Sequence, residues 1–362
     1  MLTRFQFPTS LRNEKGETKR NYRRLAAVYA QGTGIQIGSG PLTDTVKTDE
    51  SWGIIARNVV AYQWKRLAEK PTQLELFSLD PPLELRPARL VAPALVANTT
   101  AEDRINRVLA EASAEAAEAS LAVPVIVPLK RLLDRRGVEQ LLSTVLSDGV
   151  QSYLIWTPKV PEATLLADPT ILGQLLRLVT GLADRGVPVG HLHGGYVVGA
   201  LHDLGVSALV HHLGWVDKGE PAETGQGGLR SCRTYVPGLR HSVQFEKADV
   251  LGRSLSAGTY TLRYCGCSFC SGAFQNGQHP LDLLLEDEFV PFTNGRGRST
   301  PTSRAAGANT WHYLLSRRAE MERFSAQRAT DVIKEDIERA EALAGQSETH
   351  GLRRLARSLS AA

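Results

Sequence analysis

With 362 residues, 42% hydrophobic and 22% charged, the chain has the size and composition of an ordinary globular protein of one large domain or two medium ones. Its formal charge of +4 permits an anionic partner without requiring one. No stretch approaches the roughly 18 uninterrupted apolar residues of a membrane span, and the opening Met1-Leu-Thr-Arg-Phe-Gln-Phe7 has none of the parts of a signal peptide, so a cytoplasmic protein with no membrane partner is expected.

Residues 1–85 begin with a basic run, Arg4, Arg12, Lys15, Lys19, Arg20, Arg23 and Arg24, followed by Gly32-Thr-Gly-Ile-Gln-Ile-Gly-Ser-Gly40. The glycine spacing fits neither a Walker A loop nor a dinucleotide fingerprint, and reads as a turn between short strands. From residue 86 a rhythm sets in. The apolar run 90–96 ends at Asn98-Thr-Thr, where Thr99 or Thr100 caps an Ala/Glu-rich helix to about residue 120. Run 123–129 precedes a helix over 134–146, and run 152–156 precedes helical pattern through residue 182. Run 187–193 ends at Gly194-Gly195 before a short helix over 199–204, and run 207–215 closes the series.

Apolar strands alternating with helices predict an α/β fold with a parallel sheet and βαβ crossovers. No strand is followed by a Rossmann glycine fingerprint. That favours a (β/α)8 TIM-like barrel over a doubly wound sheet, with residues 1–85 supplying the remaining strands. Beyond Trp215, residues 217–231 read as loop, 234–262 as short strands and 291–308 as irregular. A single long helix is expected over 310–344, with Asn309 or Thr310 as its N-cap, and a basic amphipathic tail over 351–359.

Cys265, Cys267 and Cys270, in Tyr264-Cys-Gly-Cys-Ser-Phe-Cys270, are three of only four cysteines. Without export signals they read as reduced thiols rather than a disulfide framework. Thiolates spaced one and then two residues apart converge on one small centre without a long loop to close, and one more donor completes a tetrahedral zinc site. An iron–sulfur cluster normally takes four cysteines. The fourth donor is open among His279, with eight intervening residues, Cys232 upstream, and His312, which a helix would hold rigidly. The expected division is an α/β barrel over 1–230, a C-terminal zinc-binding subdomain with the long helix over 231–345, and the basic tail over 346–362.

Cys-x-Cys-x-x-Cys, followed by Asn309-Thr-Trp-His312-Tyr-Leu opening a helix, resembles the zinc subdomain of the tRNA-guanine transglycosylases. That family has a (β/α)8 barrel with zinc held by three cysteines and one histidine in this order. The resemblance therefore implies Cys265, Cys267, Cys270 and His312 as ligands of one Zn2+. The gap before His312 is longer than the family's usual one, and residues 280–305 look like an insertion. Upstream, His193-Gly194-Gly195-Tyr196 and Ala200-Leu-His-Asp-Leu-Gly205-Val206 resemble the family's late barrel strands, where glycine backbone contacts the base. The implied activity is exchange of a guanine in nucleic acid for a 7-deazaguanine, the chemistry of queuosine formation, and some relatives act on DNA. The implied partners are tRNA or DNA and a 7-deazaguanine-type base, in a homodimer or heteromer.

Active groups of a barrel gather at the C-terminal ends of its strands, here Asn98, Trp156, His191, His193, His211, His212 and Asp217. In the family the last strand carries an Asp nucleophile that attacks the ribose C1′ and forms a covalent intermediate. The corresponding segment, 205–215, has Val210 and His211 there, so Asp217 just past the strand is the nucleophile candidate. The family's early Asp-Ser-Gly-Gly signature is absent, Gly38-Ser-Gly40 being its nearest echo. The general base is expected from Asp49 or Asp44. His193 and His211 suit proton transfer or stacking on a base, beside Gly194 and Gly195.

The missing aspartates keep a second reading in view, a catalytically silent zinc-containing relative that binds nucleic acid or partners an active subunit. A third is a metal-dependent barrel hydrolase using the histidine pairs. Arg230, Arg233, Arg240, Arg296, Arg298, Arg304, Arg317, Arg318 and Arg323 surround the cysteines in sequence and suit phosphate. Arg317 and Arg318 have an alternative, pairing with Glu320 and Glu322 along the helix.

Overall fold

The computed structural model describes residues 28, 31–35, 42–68, 89–145, 150–158, 160–192, 195–210, 233–285, 290–291, 299–300 and 303–361. Among these, residues up to 158 and from 177 to 192 form one compact unit, and residues from 160 to 176 and from 195 onward form a second. Helix α1 (Asp49–Ala68) leads to β1 (Arg89–Val91), α2 (Thr100–Ala116), β2 (Ser120–Ile126), α3 (Arg135–Val145) and β3 (Ser152–Trp156). Then come α4 (Glu162–Ala167), α5 (Pro169–Ala183), β4 (Val189–Leu192), α6 (Tyr196–Gly199) and β5 (Val206–Val210).

The five strands form one sheet in strict chain order, and the β1–β2, β2–β3 and β3–β4 ladders are all parallel. Strands β3 and β4 are buried along their whole length, as expected when helices cover a parallel sheet. The α/β reading with alternating strands and helices therefore holds, with helices between the strands. A closed eight-stranded ring is not shown. The N–H and C=O of Val91, which face away from β2, are taken by the side-chain amide of Gln63 on α1, at 3.1 and 2.7 Å. The described residues before β1 are helix and turn, and any strand among the others of 1–85 lies outside the described residues.

Pro124 sits inside β2, where proline has no N–H to offer a ladder. Its nitrogen faces the β1 side, where that strand has already ended at Val91, so no ladder bond is lost. In the first unit, Trp52, Ile55, Ala56 and Val59 of α1 pack with Leu95, Leu109 and Ala112 to form a core. The start of α2 follows the expected capping, with the Thr99 N–H donating to Glu102 Oε2 at 2.7 Å.

In the second unit, β6 (Arg233–Val236) and β7 (His241–Gln244) form an antiparallel hairpin. Helix α7 (Phe245–Gly252) follows directly, so the short strands expected over 234–262 end at Gln244. A π-helical turn (Tyr260–Tyr264) leads to α8 (Ser268–Gln275) and α9 (Pro280–Leu284). After two short strands, β8 (Val290–Pro291) and β9 (Ser299–Thr300), come α10 (Ser303–Ala326), α11 (Ala329–Ala344) and α12 (His350–Ser360).

The single helix expected over 310–344 is thus two helices, and it starts earlier. Arg328 is extended (φ −61°, ψ 140°), and Asp203 Oδ2 accepts the Ala329 N–H at 2.6 Å, capping α11 from a distant turn. Nor is Asn309 an N-cap. It lies within α10, and its amide donates to Leu284 O at 2.6 Å and Ala305 O at 2.9 Å, tying the end of α9 to α10. The basic tail is a docked helix: Leu352 and Leu355 are buried, and Arg354 donates to Leu166 O at the end of α4. Among the described residues no helix is long and apolar enough to cross a membrane.

Candidate metal centre

The π-turn closes with the Cys265 N–H donating to Tyr260 O at 2.9 Å, which leaves Cys265 extended at the mouth of α8. Cys267 is the N-cap of α8 and Cys270 its third residue, so both sulfurs look out from the first turn. The positive end of a helix favours thiolate there. His312 comes from the middle of α10. Its Nδ1 lies 3.8 Å from Cys265 Sγ, 3.5 Å from Cys267 Sγ and 3.5 Å from Cys270 Sγ. All four ligand atoms lie within 4.8 Å of one another, and all four side chains are buried.

These spacings fit a metal tetrahedron. Bonds of about 2.3 Å to sulfur and about 2.05 Å to nitrogen place the two ligand atoms roughly 3.5 Å apart. His312 is also set in the correct tautomer. Its Nε2 is 2.8 Å from the carbonyl oxygen of Tyr235, and only a ring N–H can meet a carbonyl, so Nδ1 presents its lone pair to the sulfurs. Ser316, one turn along α10, puts its hydroxyl 3.6 Å from Cys265 Sγ, and the Cys267 N–H donates to the same sulfur at 3.4 Å.

The sulfurs divide charge unequally. Burial opposes ionisation of Cys265, yet hydrogen bonds from the Cys267 and Cys270 thiols, the Cys267 N–H and Ser316 hold it well below the ordinary thiol range. Hydrogen bonding to Cys265 and Cys267 pushes Cys270 up. A cluster that already stabilises a thiolate is prepared to give up its remaining protons to a cation. The four residues are therefore positioned to bind a metal ion, and the donor set is consistent with zinc.

His279, the sequence alternative for the fourth ligand, is employed elsewhere. Its Nδ1 accepts the Leu281 N–H at 3.2 Å and caps α9, with burial and then Arg253 depressing its pKa. Cys232 lies outside the described residues, as do Asp217, His193, Gly194, His211 and His212. Asp49 opens α1, exposed, and accepts from Arg104 Nη2 at 2.7 Å, while Asp44 is in a single helical turn before it. His191 is buried in β4, and Trp156 is buried at the end of β3. Among the described residues the Cys3His group is the one set of three or more His, Cys, Asp or Glu side chains whose ligand atoms converge.

No family model, curated protein or solved structure matches this chain.

Gly195, the described member of the glycine pair, is the N-cap of α6. A carboxylate that the sequence did not single out stands against it. Glu162 Oε1 accepts the Val197 N–H at 2.7 Å, and a Cβ on Gly195 would overlap Glu162 Oε2. A side chain at 195 would have to push the Glu162 carboxylate aside. The position of that carboxylate carries a sequence signal, since Glu162 opens the helix that follows the C-terminal end of β3.

The arginines fall into two groups. Arg318 is exposed and pairs with Glu322 at 2.9 Å, as the helix spacing predicts. Arg240 and Arg317 are 4% and 3% exposed and are committed to internal acids, Glu320 and Asp336, which are 3% and 0% exposed. Neither Arg240 nor Arg317 is a surface phosphate ligand. Arg230, Arg296 and Arg298 lie outside the described residues.

Proposed function

We propose that the Cys3His centre binds one zinc ion and that the chain is a transglycosylase-like enzyme exchanging a guanine for a 7-deazaguanine in tRNA or DNA. The observation that carries this reading is the meeting of Cys265, Cys267 and Cys270 with His312 across a gap of 41 intervening residues. Zinc bound by four protein ligands has no open position for substrate, so its work is structural. The base would then be bound at the glycine pair, by His193, Gly194, Gly195 and His211, with Asp217 as nucleophile at the ribose C1′ and Asp49 as general base. Sequential strand order supports a (β/α)8 barrel wall, because a doubly wound sheet reverses its order at a switch point.

A silent relative that binds nucleic acid or partners an active subunit is the second reading. It is favoured by Val210 at the place of the family's nucleophile and by the engagement of Asp49 with Arg104. Incubation with labelled guanine or 7-deazaguanine, with tRNA and DNA offered separately, tests both. Incorporation into one acceptor establishes activity and substrate together. No incorporation into either, with zinc bound, leaves the silent relative.

A further inference from the structure

Helix α10 joins two places that the sequence treats as unrelated. At intervals of four, one face carries His312, Ser316, Glu320 and Phe324. The first and last are about 18 Å apart along the axis. At one end is the metal centre. At the other is α6, so close that a Cβ on Gly199 would overlap Met321 Cε and lie 3.0 Å from Phe324 Cδ2. The ring of Tyr196 packs on Phe324, with centroids 5.3 Å apart.

A buried polar path runs beside this apolar one. Tyr235, whose carbonyl orients His312, donates its hydroxyl to Glu320 Oε1 at 2.7 Å. Arg240 Nη1 donates to the same oxygen at 2.8 Å, and Nη2 pairs with Asp336 on α11. The Tyr196 hydroxyl donates to Asp336 Oδ2 at 2.5 Å. Arg240 adopts φ 62°, alone among the described non-glycine residues in the left-handed region. Such strain persists only where surrounding contacts over-determine it. Buried ions like these cannot drift to new partners, because each would be left uncompensated in a dry interior.

We propose that the metal centre and segment 195–199 are conformationally coupled through α10, with Glu320 and Asp336 as positioning residues, so that loading the metal orders α6. The link takes from the proposed function only the idea that Gly195 faces a base. The coupling itself stands without it. What a closed metal site holds in place is α10, and what α10 holds in place is the glycine segment.

Coupling is reciprocal, so a change that loosens α6 must weaken metal binding by the factor that metal binding tightens α6. The test uses the full chain with Tyr196→Phe, which removes one hydroxyl and leaves every charge and the Phe324 contact in place. Zinc affinity is measured by chelator competition, and amide exchange is followed over residues 196–201. The expected result is zinc binding weakened roughly five-fold or more, with faster exchange in 196–201. Stripping zinc from the unaltered chain should accelerate the same amides along with 265–275. Unchanged zinc affinity in Tyr196→Phe, or protection of 196–201 that survives stripping, would overturn the proposal. Glu320→Gln, midway along the path, should reproduce the Tyr196→Phe result. Coupling seen in a chain that exchanges no base would sink the enzyme reading and leave this one standing.

Discussion

His312 Nε2 lies 2.8 Å from the carbonyl oxygen of Tyr235, so the backbone of β6 decides which nitrogen of the ring faces Cys265, Cys267 and Cys270. The fourth ligand is thus specified by a hydrogen bond from the hairpin as much as by its place on α10.

Elemental analysis should therefore find about one zinc per chain. His312→Ala should lose it, whereas His279→Ala should retain it and cost about 1 kcal/mol through the lost helix cap. Equal metal loss from both variants would refute the ligand assignment. Replacement by cobalt should give the visible absorption of a tetrahedral thiolate site.

Chelation should destabilise the second unit. The Cys3His centre ties the π-turn and α8 to α10, and binding free energy of this kind is folding free energy. Thermal unfolding of the full chain with and without a chelator checks this. An unchanged midpoint would mean that the four side chains meet without metal.

The buried ions and the surface ions should behave differently. Glu320→Ala leaves Arg317 without its buried counter-charge and Arg240 with Asp336 alone, and should cost roughly 3–5 kcal/mol. Arg318→Ala breaks an exposed helical pair and should change stability by less than about 1 kcal/mol. Urea titrations of both variants, with zinc bound, make the comparison.

Gly195→Ala should force the Glu162 carboxylate aside and break the bond it accepts from the Val197 N–H. Losing a hydrogen bond to a charged group costs roughly 1–3 kcal/mol. The cost should shrink in a Glu162→Ala background, since the obstructing group is then gone. Additive losses in the double mutant would show that Glu162 is not what excludes a side chain at 195.

Acid should act through Asp336. Burial alone would raise its pKa, but Arg240 and Arg323, with the Tyr196 hydroxyl, hold it below the ordinary carboxylate value. A carboxylate depressed in the folded state contributes stability that is present above its unfolded pKa and is lost as pH falls through the folded one. Stability should thus decline below about pH 4, and part of that decline should be absent in Asp336→Asn. Denaturant midpoints across the acid range, with and without the substitution, measure it.

Local spacing was enough for the cysteine trio, for the alternation of β1 through β5 with helices, and for the Arg318–Glu322 pair. Each of these depends on residues within a few positions of one another, where strand and helix periods set what can meet. Other features depend on residues far apart in the chain. Asp203 caps the distant helix α11, the side chain of Gln63 stands in for a strand beside Val91, and Glu320 and Asp336 take arginines that composition would assign to phosphate. Helix propensity across 326–329 shows no break, and an arginine carries the same charge on a surface as in a core. Only folding, by bringing distant segments together and so fixing which partners lie within reach, distinguishes the cases.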